Sequence, residues 1–471
     1  MREKIRLKRI FYLSNILLTF MLYSFGTSHS FLLAEQDDYM SDKTYKTEIL
    51  RKIARLLEVE YVIPEMAKHY AEEFTKKYES GTYDAFTNPK EFAEQITADL
   101  ISITKDKHIN FRLIESSDIG EKPESSLHHP IRYHRLGIEE NKGFAKLEWM
   151  EGNIGYLDIR RFYYFSDVRD MVIGAVEFLS NADAIIIDLR ENGGGSGEYL
   201  SSYFLEHPTQ LTSWYSREDD FLEEYWTFKD IGVERLTDVP LFLLTSQRTF
   251  SAAESFAYDM KVRGRATIIG EPTKGGAHSV DLFKIEERFE IYIPTARAIN
   301  PITGENWEGT GVIPDISVPS ETALETAIEL AREAVAKFAE AKEAKLKLAV
   351  EEMQILMDRS EVLFREDRRD EAGTVLDSVF EIADKHNLIN EFFMDVLAYN
   401  YFSEKDEQIL YAILKKKIEF FPKSPTAYVA LGYAYYKNNR KELAIANFEN
   451  VLKLDPDNRN VKKMIKRLRN E

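Results

Sequence analysis

The chain has 471 residues, 44% of them hydrophobic and 12% aromatic, which suits two or three folded domains and excludes wholesale disorder. Its net charge of −18 argues against nucleic acid as a partner. Cysteine is absent, which rules out disulfides, thiolate catalysis, cysteine-ligated metal and lipoprotein-type acylation; nine histidines without an HExxH pair suggest neither a bound metal nor a cofactor.

At the amino terminus Arg2, Lys4, Arg6, Lys8 and Arg9 precede an apolar run from Ile10 to Phe25, then small polar residues and Glu35-Gln36-Asp37-Asp38. This order describes an export signal over residues 1–34. The run is shorter than the ~20 residues of a spanning helix, but no clean cleavage site follows it, so an uncleaved membrane anchor stays open. An exported protein is expected, periplasmic, extracellular or held at a membrane by this segment.

Residues 42–107 read as a small helical domain. Ile49, Ile53, Leu56 and Leu57 repeat at helical steps, as do Met66, Tyr70 and Phe74 after Pro64, and Asn88-Pro89 opens a helix carrying Phe92, Ile96 and Leu100. From 108 to 320 short apolar strands alternate with helices. The strands are expected at Ile154–Ile159, Ala184–Leu189, Leu241–Thr245, Ala266–Ile269 and Phe289–Ile293. The helices are expected at Val168–Leu179, Tyr199–Phe204 and Ala252–Val262. That alternation predicts an α/β layer with Ile185-Ile186-Ile187 in a central strand. Residues 321–350, rich in Ala, Glu and Lys, read as a linker helix, and 351–471 as helical repeats.

Within those repeats, Pro425 to Pro456 fits one tetratricopeptide unit. Tyr428, Leu431, Gly432 and Tyr435 fall on its first helix, and Ala444, Phe448 and Val451 on its second. One unit cannot bury its own face, so Met353 to Phe420 is expected to supply degenerate neighbours. A groove of stacked helix pairs suits a protein partner.

The chemistry concentrates in three places. Thr249-Phe250-Ser251-Ala252-Ala253-Glu254 follows an apolar strand and opens a helix. Ser251 then stands where unpaired backbone N–H groups and the helix dipole favour an oxyanion; the plainer reading is an N-cap serine. Asp188-Leu189-Arg190-Glu191-Asn192-Gly193-Gly194-Gly195 follows the central strand, but neither GxGxxG nor a P-loop lysine is present. Paired with Ser251, its Gly194 N–H and the Ala252 N–H would make a two-donor oxyanion hole. His108, at the border between helical domain and first strand, is the candidate base; His69, His128, His129, His134, His207, His278 and His386 read as surface or satisfied polar residues. Glu308, in Asn306-Trp307-Glu308-Gly309, either orients the histidine, binds substrate or caps a turn.

Taken in order, Asp188 to Gly194, Thr249 to Tyr258, Gly264 to Thr273 and Asn306 to Asp315 resemble the S41 serine peptidase family, over roughly Tyr45 to Pro319. The resemblance is closer to the branch with interphotoreceptor retinoid-binding protein and the tricorn core than to the tail-specific branch. It implies a crotonase-like β/α core, Ser251 as nucleophile, His108 as general base, Glu308 as carboxylate partner, and Gly194 and Ala252 amides holding the oxyanion. The tail-specific branch carries its lysine base where Gly276 stands; Lys274 lies two positions earlier, so a Ser–His pairing is expected. Lys107 stands where the tricorn pattern has a serine. The stretch from His108 to Ile154 is too short for the PDZ domain of many relatives.

Two functions fit the scaffold. One is a peptidase acting on peptides or proteins; the other is a non-catalytic carrier of apolar ligands, with Phe162-Tyr163-Tyr164-Phe165 lining a groove. A carrier has no need of a serine, histidine and glutamate set, which favours the peptidase.

Overall fold

A computed structural model of the protein describes residues 38–114, 128–402 and 407–470. The expected export segment, 1–34, lies outside them. Among the described residues no helix is long and apolar enough to cross a membrane. Contacts divide the chain into two compact units, 1–338 and 339–471.

The first unit begins with three helices. α1 (Lys43–Glu60) starts at Asp42, whose carboxylate accepts from the Thr44 and Tyr45 N–H groups. α2 (Pro64–Glu79) buries Ala67, Ala71 and Phe74, while Met66, expected on that face, is exposed. α3 (Pro89–Thr104) has Pro89 in its first turn and Asn88 as cap, satisfying donors the helix cannot. It ends at Lys105, held left-handed at φ 61°, and the turned chain delivers Asp106 and His108 to the next strand.

The strands form two sheets. β1 (Asn110–Leu113) is followed by α4 (His128–Glu139), β2 (Phe144–Met150), β3 (Ile154–Ile159), α5 (Phe165–Leu179), β4 (Ala184–Asp188) and α6 (Glu198–Phe204). Then come β5 (Ser213–Ser216), β6 (Phe221–Glu223), β7 (Leu241–Thr245), α7 (Ala252–Val262), β8 (Thr267–Gly270), β9 (His278–Lys284), β10 (Phe289–Ile299) and β11 (Ile316–Ser317). The six-stranded sheet runs β11-β8-β7-β4-β3-β2, parallel except for β2. Every residue of β3, β4 and β7 is buried, as strands covered on both faces require.

The second sheet, β1-β10-β5-β6 with β9 also on β10, is antiparallel. Of its strands only Phe289–Ile293 was expected; β10 runs on to Ile299. The helices α1 to α3 share a core with this sheet, through Phe111, Phe289, Ile291 and Ile293. Asn110 pairs with Tyr292 and His278 with Arg297, so β1 and β9 begin at the same end of β10. That register brings Asp106, His108 and His278 together.

In the second unit helices follow one another. α8 (Ala323–Arg365) is one 43-residue helix, longer than the linker expected over 321–350, and the division between the units falls within it. After it come α9 (Arg369–Lys385), α10 (Glu391–Asn400), α11 (Glu407–Phe420), α12 (Pro425–Lys437), α13 (Lys441–Leu454) and α14 (Arg459–Asn470). Ala427, Leu431 and Tyr435 of α12 are buried with Ala444, Phe448 and Val451 of α13. A Cβ on Gly432 would stand 2.6 Å from Phe448 Cε1, so this close crossing needs the missing side chain.

Candidate active site

The turn between β7 and α7 is tied to the loop after β4. Thr249 Oγ1 donates to the Leu189 carbonyl at 2.8 Å, Ser246 Oγ to the Arg190 carbonyl at 2.6 Å, and the Phe250 N–H to the Asn192 carbonyl at 3.0 Å. Held this way, Ser251 has φ 56° and ψ −121°, a conformation that costs a non-glycine residue about 1–3 kcal/mol. A serine on a strained strand-to-helix turn presents its hydroxyl outward.

Beneath it lies Glu254, fully buried. Its carboxylate accepts from the N–H groups of Ser251 (2.8 Å), Gly275 (2.6 Å) and Gly276 (2.9 Å), and from Thr273 Oγ1 (2.5 Å). Burial pushes its pKa up to about 7, against four donors that favour the charged form. Glu254 therefore couples the serine turn to the glycine segment behind it.

The glycine loop meets the same turn. A Cβ on Gly194 (φ 99°) would lie 2.8 Å from Ser251 Cβ and 3.1 Å from Ala252 N, so only glycine allows this approach. Of the two amides expected to hold an oxyanion, Gly194 N–H already donates to Asn192 Oδ1 at 2.8 Å. Ala252 N–H opens α7, where no intrahelical acceptor exists for it.

His108 packs against the residue before the serine: its ring lies 4.5 Å from that of Phe250, tilted by 32°. It is only 8% exposed, and neither ring nitrogen has a hydrogen-bond partner. Gly276 makes room for it; a Cβ there would overlap Phe250 and stand 2.5 Å from His108 Cε1. His108 Nδ1 is 3.6 Å from Asp106 Oδ1, too long for a hydrogen bond.

Asp106 is the hub of this corner. It accepts from the His108 N–H (3.0 Å) and Tyr61 Oη (3.3 Å), and its Oδ2 lies 2.5 Å from His278 Nδ1. Burial would raise its pKa, but the two imidazoles beside it, His108 and His278, hold it well below the usual carboxylate range. Burial works against a charged His278, and the hydrogen bond and charge of Asp106 outweigh it and raise its pKa.

Glu308 reaches the same corner. Its Oε2 accepts from the Ala277 N–H at 2.5 Å and lies 3.8 Å from His278 Nδ1, while Oε1 is buried without a partner. Burial, reinforced by the charge of Asp106, pushes its pKa up to about 7. Ligand atoms of Asp106, His108 and Glu308 all lie within 4.8 Å of one another. The carboxylate nearest the His108 nitrogen with a measured separation is thus Asp106, which the sequence reading left out.

Ser251, Ala252, Gly194, His108 and His278 line one cavity of about 310 Å³. Lys274 is not among its lining residues; its ammonium sits 4.5 Å over the Phe250 ring. Nor does the run Phe162–Phe165 line it: Phe162 and Tyr163 are buried in the core. Of the residues missed, Asp106 stands two before His108 and Glu254 completes an S-x-x-E pattern with Ser251, a recognisable local signal. His278, set aside as a satisfied polar residue, is indeed paired, but inside the site. It carries no local signal.

Comparison with known proteins finds three family models. The model described as peptidase family S41 matches residues 153–318, and that of the N-terminal domain of Peptidase_S41 in eukaryotic IRBP matches 42–147. A tetratricopeptide repeat matches 425–458. A carboxyl-terminal-processing protease of Picosynechococcus sp. is 28% identical over 207 residues, 43% of this chain and 48% of that protein. The chloroplastic carboxyl-terminal-processing peptidase 2 of Arabidopsis thaliana is 29% identical over 171 residues, 35% of this chain and 32% of that protein. The chain thus spans half or less of the length of these relatives. Among solved structures, the photosystem II D1 C-terminal processing protease aligns at TM-score 0.37 and 16% identity, covering 58% of this chain and 94% of that one. The tricorn protease aligns at TM-score 0.40 and 12% identity, covering 63% of this chain and 37% of that one. The relatives bear the names of tail-processing enzymes, whereas the N-terminal match is to the retinoid-binding branch. The two S41 models match in order, over residues 42–147 and 153–318, and across that stretch the chain is similar to peptidase family S41.

Proposed function

We propose that the protein is an exported serine peptidase that hydrolyses peptide bonds. Ser251 Oγ attacks the substrate carbonyl while a nitrogen of His108 accepts its proton. The C–N bond breaks as His108 returns that proton to the departing amine, leaving an ester on Ser251; water, deprotonated in turn by His108, then releases the acid. The negative charge of Asp106, with Glu308 beside it, stabilises the imidazolium that forms in between.

The Ala252 N–H is one oxyanion donor. Gly194 N–H is the second, shared with Asn192 Oδ1 as a three-centre bond when the oxyanion forms. One such donor contributes about 2.7–4 kcal/mol to transition-state stabilisation. The tetratricopeptide unit serves as an arm for recruiting a protein partner or substrate. An export signal at the amino terminus, or an anchor there, would place the enzyme outside the cytoplasm.

The observation that carries this reading is the strained Ser251 sharing a cavity with an imidazole whose two nitrogens lack partners. Strain of this kind persists where function needs it. A carrier of apolar ligands gains nothing from it, and the aromatic run that suited a carrier is packed in the core. The test is incubation of an unfolded protein substrate with the parent chain and with Ser251→Ala. Fragments should appear only with the parent. No fragments from either, together with quenching of intrinsic fluorescence by an apolar ligand, would support the carrier instead.

A further inference from the structure

We propose that Asp106, His108 and Glu308 form a reversible zinc-binding site, and that zinc held there switches the hydrolase off. The three ligand atoms already lie within 4.8 Å of one another. Oxygen and nitrogen ligands sit about 2.0–2.2 Å from zinc, so two of them on one tetrahedral ion are ~3.4 Å apart. His108 Nδ1 and Asp106 Oδ1, at 3.6 Å, are too distant to hydrogen-bond and close to that spacing. Closing the widest separation needs at most about 1.4 Å of side-chain movement.

The donors can ligate: Asp106 Oδ1 accepts one hydrogen bond, from the His108 backbone N–H, and keeps a second lone pair. Both His108 nitrogens and Glu308 Oε1 are buried without partners. The far side of each carboxylate is anchored: Asp106 Oδ2 by His278 and Tyr61, Glu308 Oε2 by the Ala277 N–H. Such outer contacts orient ligating groups in metal sites. Among the described residues only the imidazoles of His108 and His278 pair with either carboxylate, with no Lys or Arg, so a divalent cation would offset buried negative charge that His278 alone must otherwise balance. One imidazole and two carboxylates match a three-ligand zinc site with an open position better than an all-oxygen calcium or magnesium cage. His108 lines the cavity, which gives the ion a route in.

Zinc on His108 occupies the lone pair that would accept the Ser251 proton. The inhibitory half of the proposal rests on the peptidase reading; the binding half does not. Isothermal titration of the full chain with zinc chloride should show one saturable equivalent. His108→Ala and Glu308→Gln should lose it, and His278→Gln should weaken it by about 10–100-fold. No saturable equivalent in the parent, or undiminished affinity in a folded His108→Ala protein, overturns the site. In the unmutated chain, zinc should slow fluorophosphonate labelling of Ser251 and a chelator should restore it. Labelling that saturating zinc leaves unchanged overturns the switch alone. Zinc binding by a chain that is never labelled, even metal-free, overturns the peptidase reading and the switch while leaving the site standing.

Discussion

Adding one methyl group at Gly276 should disable the site without replacing any reacting residue. A Cβ there would overlap Phe250, come within 2.6 Å of its Cζ, and stand 2.5 Å from His108 Cε1. Ordinary carbon contacts are about 3.5–4.0 Å, so His108 must move by roughly 1 Å or Phe250 must yield. Phe250 has little freedom: it is 2% exposed, packed against His108 on one ring contact and capped by the Lys274 ammonium at 4.5 Å. The displacement therefore falls largely on His108. A misplacement of about 1 Å can cost about 100-fold in rate, and overpacking of this kind about 1–3 kcal/mol in stability. The assay is the rate of fluorophosphonate labelling for Gly276→Ala against the parent, with thermal melts showing that both are folded. Gly174→Ala is the control, because its Cβ meets nothing within 4 Å. A folded Gly276→Ala protein labelled as fast as the parent would refute the placement of His108 against that glycine.

Other expectations follow from the same geometry. Ser251→Gly should raise stability by about 1 kcal/mol through relief of the φ 56° conformation, while abolishing labelling; a melting temperature that falls would contradict the strain. Glu254, raised in the fold to about 7 from an ordinary 4.5, contributes stability that is present below its unfolded pKa and lost as pH rises through 7. Urea melts should thus show the parent losing roughly 2 kcal/mol relative to Glu254→Gln between about pH 5.5 and about pH 8; a constant difference would contradict the shift. Asp106→Asn leaves a buried imidazole corner uncompensated and should cost about 3–5 kcal/mol, read by calorimetry; a cost under about 1 kcal/mol would contradict its role as hub. Gly432→Ala should destabilise the second unit by about 1–3 kcal/mol against Phe448, leaving the labelling rate unchanged.

The parallel strands β3, β4 and β7 were legible because each is an unbroken apolar run buried on both faces, and the helix start after Ser251 because a strand signal ends just before it. The antiparallel sheet was mostly missed. β5 and β6 are short, and all three of β5, β6 and β9 are partly exposed, with polar residues such as Ser279 and Asp281 in β9, so no unbroken apolar run marks them. β5 pairs with β10 far along the chain and β6 pairs with β5, while β9 is joined to β10 by a tight turn. The same cause hid part of the site. Ser251 stands out by its motif and His108 by its place between the helical domain and the first strand, but His278 reaches Asp106 only through the common register of β1 and β9 on β10. Glu254 is visible in its motif, where a carboxylate after an N-cap usually just closes a capping box; here it also gathers Thr273, Gly275 and Gly276.

Peptide hydrolysis by this site requires Ser251 to be a nucleophile activated by His108. Mass spectrometry of the chain after reaction with a fluorophosphonate tests that directly. A single adduct on the peptide carrying Ser251, absent from Ser251→Ala and strongly reduced in a folded His108→Ala protein, is the expected result. An adduct on another residue, or one on Ser251 formed equally fast without His108, would contradict it.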